Sequence, residues 1–123
     1  MSVRVEISEV RDRLVEFGAA PYLLTTSPEG RPHATHVVVV FDGERLECDA
    51  GRKTARNASV NAGVCLLWPP CEPGGFSLLI DGDATVGSHG ETTVLSIVPT
   101  AAVLHRNANP DGYIADCVPL DGR

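Results

Sequence analysis

The chain has 123 residues, of which 43% are hydrophobic and 21% charged, and its formal net charge is −6. That length suits one domain with one core (residues 1–123), and the composition excludes a disordered or low-complexity chain. The acidic balance argues against broad nucleic-acid binding, which needs a basic face to neutralise phosphates, and no apolar stretch approaches membrane-spanning length.

The opening "MSVRVEISEV" has no apolar signal core, and the four cysteines Cys48, Cys65, Cys71 and Cys117 contain no C-x-x-C pair. A cytoplasmic protein with reduced thiols is expected, with neither a zinc site nor a thioredoxin-type motif. In "ISEVRDRLVEFG" the residues Ile7, Val10, Leu14 and Phe17 recur at three- and four-residue steps. This spacing predicts an amphipathic helix over about 6–18, ended by Gly18 and Pro21.

The texture then changes to strands. "PYLLTTS" precedes the turn "PEGRP", and "HATHVVVVF" is a long strand halted by the hairpin turn "DGE". "RLECDA" returns from it. The run Val37–Val40 predicts a strand buried on both faces, as at a barrel wall or a dimer contact. "TARNASVNAG" predicts a short helix over Thr54 to Ala62, closed by Gly63. "VCLLWPP" is another buried strand. "FSLLIDG" and "DATVG" form an expected strand pair around Asp81 and Gly82, and "TTVLSIVPTAAVLHR" a last strand with a bulge or bend at Pro99. The tail, about 107–123, mixes turn residues with a few apolar anchors. Six or seven short antiparallel strands with two helices predict a mainly β, barrel-like fold, which removes exposed sheet edges.

The segment "AGRKTARN" concentrates charge. Lys53 is the only lysine, and with Arg52 and Arg56 it places three of the ten basic residues within five positions. The segment follows a strand and opens a helix, where free N–H groups and the positive end of the helix dipole converge. Thr54 adds a hydroxyl donor. Two readings follow: a site for a phosphate monoester, or a solvated loop that balances nearby acids. His33 and His36 lie three apart on one strand and point to opposite faces, which disfavours a shared metal. His89 and His105 stand alone. Trp68 reads as a core or interface anchor that could also flank a flat ring.

In their order, Thr-Thr-x-x-x-Gly-x-Pro, then Lys-Thr-x-x-Asn at the inserted helix, then an apolar strand, the segments resemble a known superfamily. It is the pyridoxamine 5′-phosphate oxidase-like, FMN-binding split β-barrel superfamily, and within it the small actinobacterial-type members. The resemblance covers most of the chain. It implies a six- to seven-stranded antiparallel split β-barrel and a homodimer with two cofactor sites at the subunit interface. Lys53 and Thr54, with Arg52 or Arg56 nearby, would hold the FMN phosphate. Ala50 and Gly51 would let the phosphate-binding backbone approach closely, and His33, Thr35 and Val37 would line the isoalloxazine ring. Val37–Val40 and Trp68 would fit the wall between subunits. The chain is shorter than the oxidases and lacks their C-terminal substrate-binding segment, and His36 stands where many members carry proline. Some small relatives bind a deazaflavin, haem or no cofactor; the acidic surface weighs against the polyglutamate tail of a deazaflavin. The expected function is an FMN-dependent oxidoreductase on a small substrate. The alternatives are a carrier or sensor of the same fold, a deazaflavin-dependent reductase, or a cofactor-free dimer. No catalytic residue is assigned.

Overall fold

The apolar stripe at the start of the chain folds as a 3-10 turn, Ile7–Glu9, running into helix α1, Val10–Phe17. Val10 is buried, and Leu14 and Phe17 pack against the core. Glu6 donates its N–H to Glu9 Oε1 at 3.0 Å, a capping contact at the start. Gly18 ends the helix at φ 87°, a left-handed conformation that costs glycine little.

The structure is a computed structural model that describes residues 1–107; Cys117 and the expected tail beyond Asn107 lie outside them. Strands β1 (Ser2–Val5), β2 (Tyr22–Thr26), β3 (Pro32–His36), β4 (Val40–Phe41), β5 (Leu46–Asp49), β6 (Gly63–Trp68), β7 (Ser77–His89) and β8 (Thr92–His105) form one sheet. All its pairings are antiparallel. Neighbours run β3-β2-β6-β7-β8-β5-β4, and β1 also pairs with β8. β8 has β7 along one edge, with β5 and then β1 along the other. The two ends of this path, β3 and β4, are consecutive in the chain. The segment Val37–Val39 therefore bridges both sheet edges, held by Val37 N–H to Pro21 O at 3.0 Å and Val39 N–H to Ala19 O at 2.8 Å. The result is the mainly β split barrel expected.

Alternate residues of each strand point inward. Leu23, Leu46, Leu66, Trp68, Leu78, Ile80, Leu95 and Ile97 are all essentially inaccessible to solvent. Burial of each such side chain contributes about 1.5–3 kcal/mol. Trp68 Nε1 donates to Gly18 O at 2.9 Å, so its polar atom is satisfied inside the core. In the hairpin between β4 and β5, the Asp42 carboxylate accepts the N–H of Arg45 at 2.7 Å and of Glu44 at 2.8 Å. These bonds hold its pKa below the ordinary value of 3.8. Burial, and then the charge of Asp49, pushes the Cys48 thiol up to about 11. Burial, and then Asp81, pushes Cys65 up to about 12. Both strand thiols are thereby kept neutral. Among the described residues no helix is long and apolar enough to cross a membrane.

Three local expectations are corrected. The sheet has eight strands rather than six or seven, because β1 pairs with the far end of β8, a contact no local pattern announces. "FSLLIDG", from Ser77 on, and "DATVG" are not a strand pair: both belong to β7, and between Asp81 and Gly82 the pairing with β8 shifts by one residue, Thr100 being the extra one. Glycine is required there because a Cβ on Gly82 would come within 2.6 Å of Ile97 Cγ2 and 2.7 Å of Val98 O. Of the bulge or bend expected at Pro99, the structure shows the register shift next to it. The valine run is not a strand buried on both faces of the barrel: pairing stops at His36, Val39 is buried, and Val38 and Val40 are 67% and 69% exposed. Those valines cross between sheet edges, so only alternate side chains reach the core.

Candidate functional site

Helix α2 spans Arg52–Val60, beginning two residues before the expected start and ending at Asn61 rather than Gly63. Gly51 is its N-cap, in ordinary extended backbone at φ −72°. Arg52 and Lys53 therefore belong to the first turn itself. The buried face carries Thr54, Asn57 and Ala58, at three- and four-residue spacing. Arg52, Lys53 and Arg56 are exposed on the other side.

Hydrogen bonds from two asparagines fix α2 to the end of β2. The buried Asn57 donates from Nδ2 to Thr25 Oγ1 at 3.1 Å. Asn61 Nδ2 donates to Thr26 O at 3.2 Å and to Ser27 O at 3.0 Å. The turn between β2 and β3 is tightened in the same place. Ser27 and Arg31 exchange N–H to O at 2.8 Å and N–H to Oγ at 3.0 Å, and Gly30 takes a φ of 86°. Between these two walls lies a hollow of about 320 Å3, with Ser27, Pro28 and Glu29 on one side and Arg52, Lys53, Arg56 and Asn57 on the other.

The electrostatics of the hollow suit an anion. None of its three cations makes an ion pair among the described residues. Helix geometry leaves the N–H groups of Arg52, Lys53 and Thr54 without an intrahelical acceptor, and no side chain among the described residues caps this end. A Cβ added at Gly51 would meet nothing within 4 Å, so the backbone at the N-cap is open to approach. This donor set fits a phosphate group: forked guanidinium donors, a point charge and free amides.

The expected site residues do not all come together. Arg52, Lys53 and Arg56 meet at the hollow. Thr54, expected as a hydroxyl donor there, is buried instead and stands outside the lining. Ala50 is half-buried and spends its N–H on Thr93 O at 2.9 Å. His33 and Thr35 share the half-buried face of β3, opposite Thr25 and Leu23. His36 lies on the other face, with Nε2 3.0 Å from Ala20 O and its ring 5.0 Å from that of Tyr22, as the strand period requires. Val37 lines a second, larger hollow of about 670 Å3, together with His36, Val38, Val40, Cys48 and His89. Trp68 joins neither hollow; it is a core anchor. Glu29, Ser27 and Asn57 were not among the expected site residues. For Asn57 the signal was its place on the buried helical face, three residues after Thr54; for Glu29 and Ser27 only the fold brings the turn to the helix.

No family model matches the chain. It is 34% identical to uncharacterized proteins of Mycobacterium bovis and Mycobacterium tuberculosis, over 94% of this chain and 94% of theirs. Among solved structures it resembles a Listeria innocua protein named for pyridoxamine 5′-phosphate oxidase (TM-score 0.67, 19% identity, 83% of this chain and 100% of that one). It also resembles an F420 reductase (TM-score 0.61, 20% identity, 74% and 94%). A third is an FAD-binding protein from Mesorhizobium loti (TM-score 0.64, 10% identity, 85% and 96%). The protein thus belongs to the family of the mycobacterial proteins, and it has the split-barrel fold of the pyridoxamine 5′-phosphate oxidase-like superfamily.

Proposed function

We propose that the protein binds FMN, with the phosphate held at the first turn of α2, and serves as a cytoplasmic oxidoreductase acting on a small substrate. The observation that carries this reading is the hollow beside α2, where Arg52, Lys53 and Arg56 converge without ion-pair partners among the described residues. Lys53 supplies a point charge, the two arginines supply forked donors, and the open N-cap at Gly51 lets a phosphate oxygen approach the free amides. The half-buried face of His33 and Thr35 lies one strand away, across Thr25, and would receive the ring. Bound flavin supplies reversible electron and hydride transfer; the chain's own residues bind it, orient it and limit the access of water.

The working unit in this reading is a homodimer. Val38 and Val40 are exposed beside the larger hollow, and apolar side chains grouped in this way suit a self-complementary contact. The partner subunit would complete the ring site next to Val37. A deazaflavin is the second cofactor reading, favoured by the likeness to an F420 reductase. A carrier or sensor is the second functional reading, because the hollow supplies cations, amides and one carboxylate, a binding set rather than an acid–base pair.

Titration of the purified protein with FMN, deazaflavin and haem, followed by absorption spectroscopy, tests the cofactor. Micromolar or tighter FMN binding with one site per chain supports the reading. Uptake of haem or deazaflavin alone, with no response to FMN, overturns it.

A further inference from the structure

The hollow beside α2 has two ends. Arg52 and Lys53 stand in the first turn of the helix, beside its free amides. Asn57 lies five residues after Arg52, about 8 Å along the axis, and the C-cap Asn61 about 14 Å. The facing wall is tied to this later stretch. Thr25 Oγ1 accepts from Asn57 Nδ2 at 3.1 Å, and Ser27 O accepts from Asn61 Nδ2 at 3.0 Å. Ser27 therefore lines the hollow away from the first turn. The volume, about 320 Å3, is about ten times the roughly 30 Å3 that one water takes up in the liquid, so a phosphate group alone does not fill it.

Of the buried hydroxyl residues beside α2, Thr25, Ser27 and Thr54, Ser27 is the one that lines this hollow, and it is 8% exposed. The fold fixes it closely. Its N–H donates to Arg31 O at 2.8 Å, its O also accepts the Gly30 N–H at 2.8 Å, and its Oγ accepts the Arg31 N–H at 3.0 Å. What Ser27 has left is the hydroxyl proton and one lone pair, and among the described residues that proton has no acceptor. A ligand hydroxyl meets both needs, because it accepts one proton and donates another. The cations and amides at the other end are suited to the phosphate oxygens. We propose that Ser27 binds a hydroxyl on the carbon chain next to the phosphate, so that the hollow takes a phosphorylated polyol. This rests on the phosphate reading above and deepens it. The ribityl chain of FMN is one source of such a polyol, and a free sugar-alcohol phosphate is the other.

The test uses glycerol 3-phosphate and n-propyl phosphate, which share the phosphate and the chain length and differ in the hydroxyls. Dissociation constants are measured by NMR titration of wild type and Ser27→Ala. Wild type is expected to bind glycerol 3-phosphate about 3- to 10-fold more tightly than propyl phosphate. Ser27→Ala should reduce that preference to less than about twofold and leave the propyl phosphate constant unchanged. Loosening of the turn through the lost Arg31 bond would weaken both ligands together, so the ratio separates binding from turn damage. Should Ser27→Ala not fold, Ser27→Cys, with its weaker donor, takes its place under the same expectation. Equal binding of the two ligands by wild type, a preference that the variant retains, or no binding of either ligand overturns the proposal. FMN is titrated alongside to separate the two sources. A hydroxyl preference without FMN binding supports the role of Ser27 and overturns the cofactor reading alone. FMN binding without a hydroxyl preference overturns the role of Ser27 and leaves the cofactor reading standing.

Discussion

The side-chain amide of Asn57 donates to the hydroxyl of Thr25 at 3.1 Å, in surroundings where Asn57 is 1% and Thr25 2% exposed. This bond joins the inner face of α2 to the strand next to β3, and so sets the basic hollow beside the half-buried face of His33 and Thr35. Removing one partner leaves a buried polar group without a bond, at a cost of about 1–3 kcal/mol. Asn57→Leu is expected to lose that much stability in urea unfolding and to weaken FMN binding. Combined with Thr25→Val, which removes the orphaned hydroxyl, the loss should be smaller than the sum of the two single changes. Strict additivity would show that the bond does not couple helix to strand.

Trp68 provides a contrast. It sits in the core with its indole N–H on Gly18 O, away from both hollows. Trp68→Phe removes the bond and leaves a small void, and is expected to lower stability by about 1–3 kcal/mol. FMN affinity of the folded variant should equal that of wild type. A selective loss of affinity at unchanged stability would return Trp68 to the ring site.

The strand thiols make a prediction about alkaline pH. The folded pKa values, about 11 for Cys48 and about 12 for Cys65, lie above the ordinary 9.0. Between those values the unfolded chain has released protons that the folded chain still holds, so stability falls as pH rises above about 9. Cys48→Ala with Cys65→Ala should flatten this decline in unfolding midpoints from pH 8 to 10.5. In a Cys117→Ser background, Cys71, the exposed thiol, should react with a disulfide reagent at pH 8, with Cys48 and Cys65 reacting only on unfolding. Fast labelling of three thiols in the native protein would contradict this.

Much of the architecture was legible because it is periodic. The helix at Val10–Phe17, the turns "PEGRP" and "DGE", and the strands β2, β5 and β6 follow from local spacing and turn chemistry. The failures share one cause. β1 exists through pairing with β8 at the far end of the described chain, and the need for glycine at position 82 is set by Ile97 and Val98 across the sheet. Neither partner is near in sequence. The run Val37–Val40 looked uniform, yet its position between two sheet edges makes its burial alternate. At the site the same division holds. The basic cluster is visible in "AGRKTARN", whereas the turn residues that wall it in, Ser27 to Glu29, arrive only through the packing of α2 on β2.

Val38 and Val40 offer a test of assembly. Their exposure beside the larger hollow supports a subunit contact there. Wild type is expected to sediment as a dimer. Val38→Glu with Val40→Glu places two like charges in that contact, should yield a monomer, and should weaken FMN binding by about tenfold or more. A monomeric wild type, or a variant that still dimerises and binds FMN normally, would place the contact elsewhere.

Comparison of FMN with riboflavin, in wild type and in Lys53→Ala, decides whether the first turn of α2 holds a phosphate. The two ligands share the ring and differ in the phosphate. Wild type should bind FMN at least about 100-fold more tightly than riboflavin. Lys53→Ala should reduce that preference by about tenfold while leaving the riboflavin constant unchanged. Equal affinity for the two ligands in wild type, or a preference that Lys53→Ala leaves intact, would rule out a phosphate site at α2.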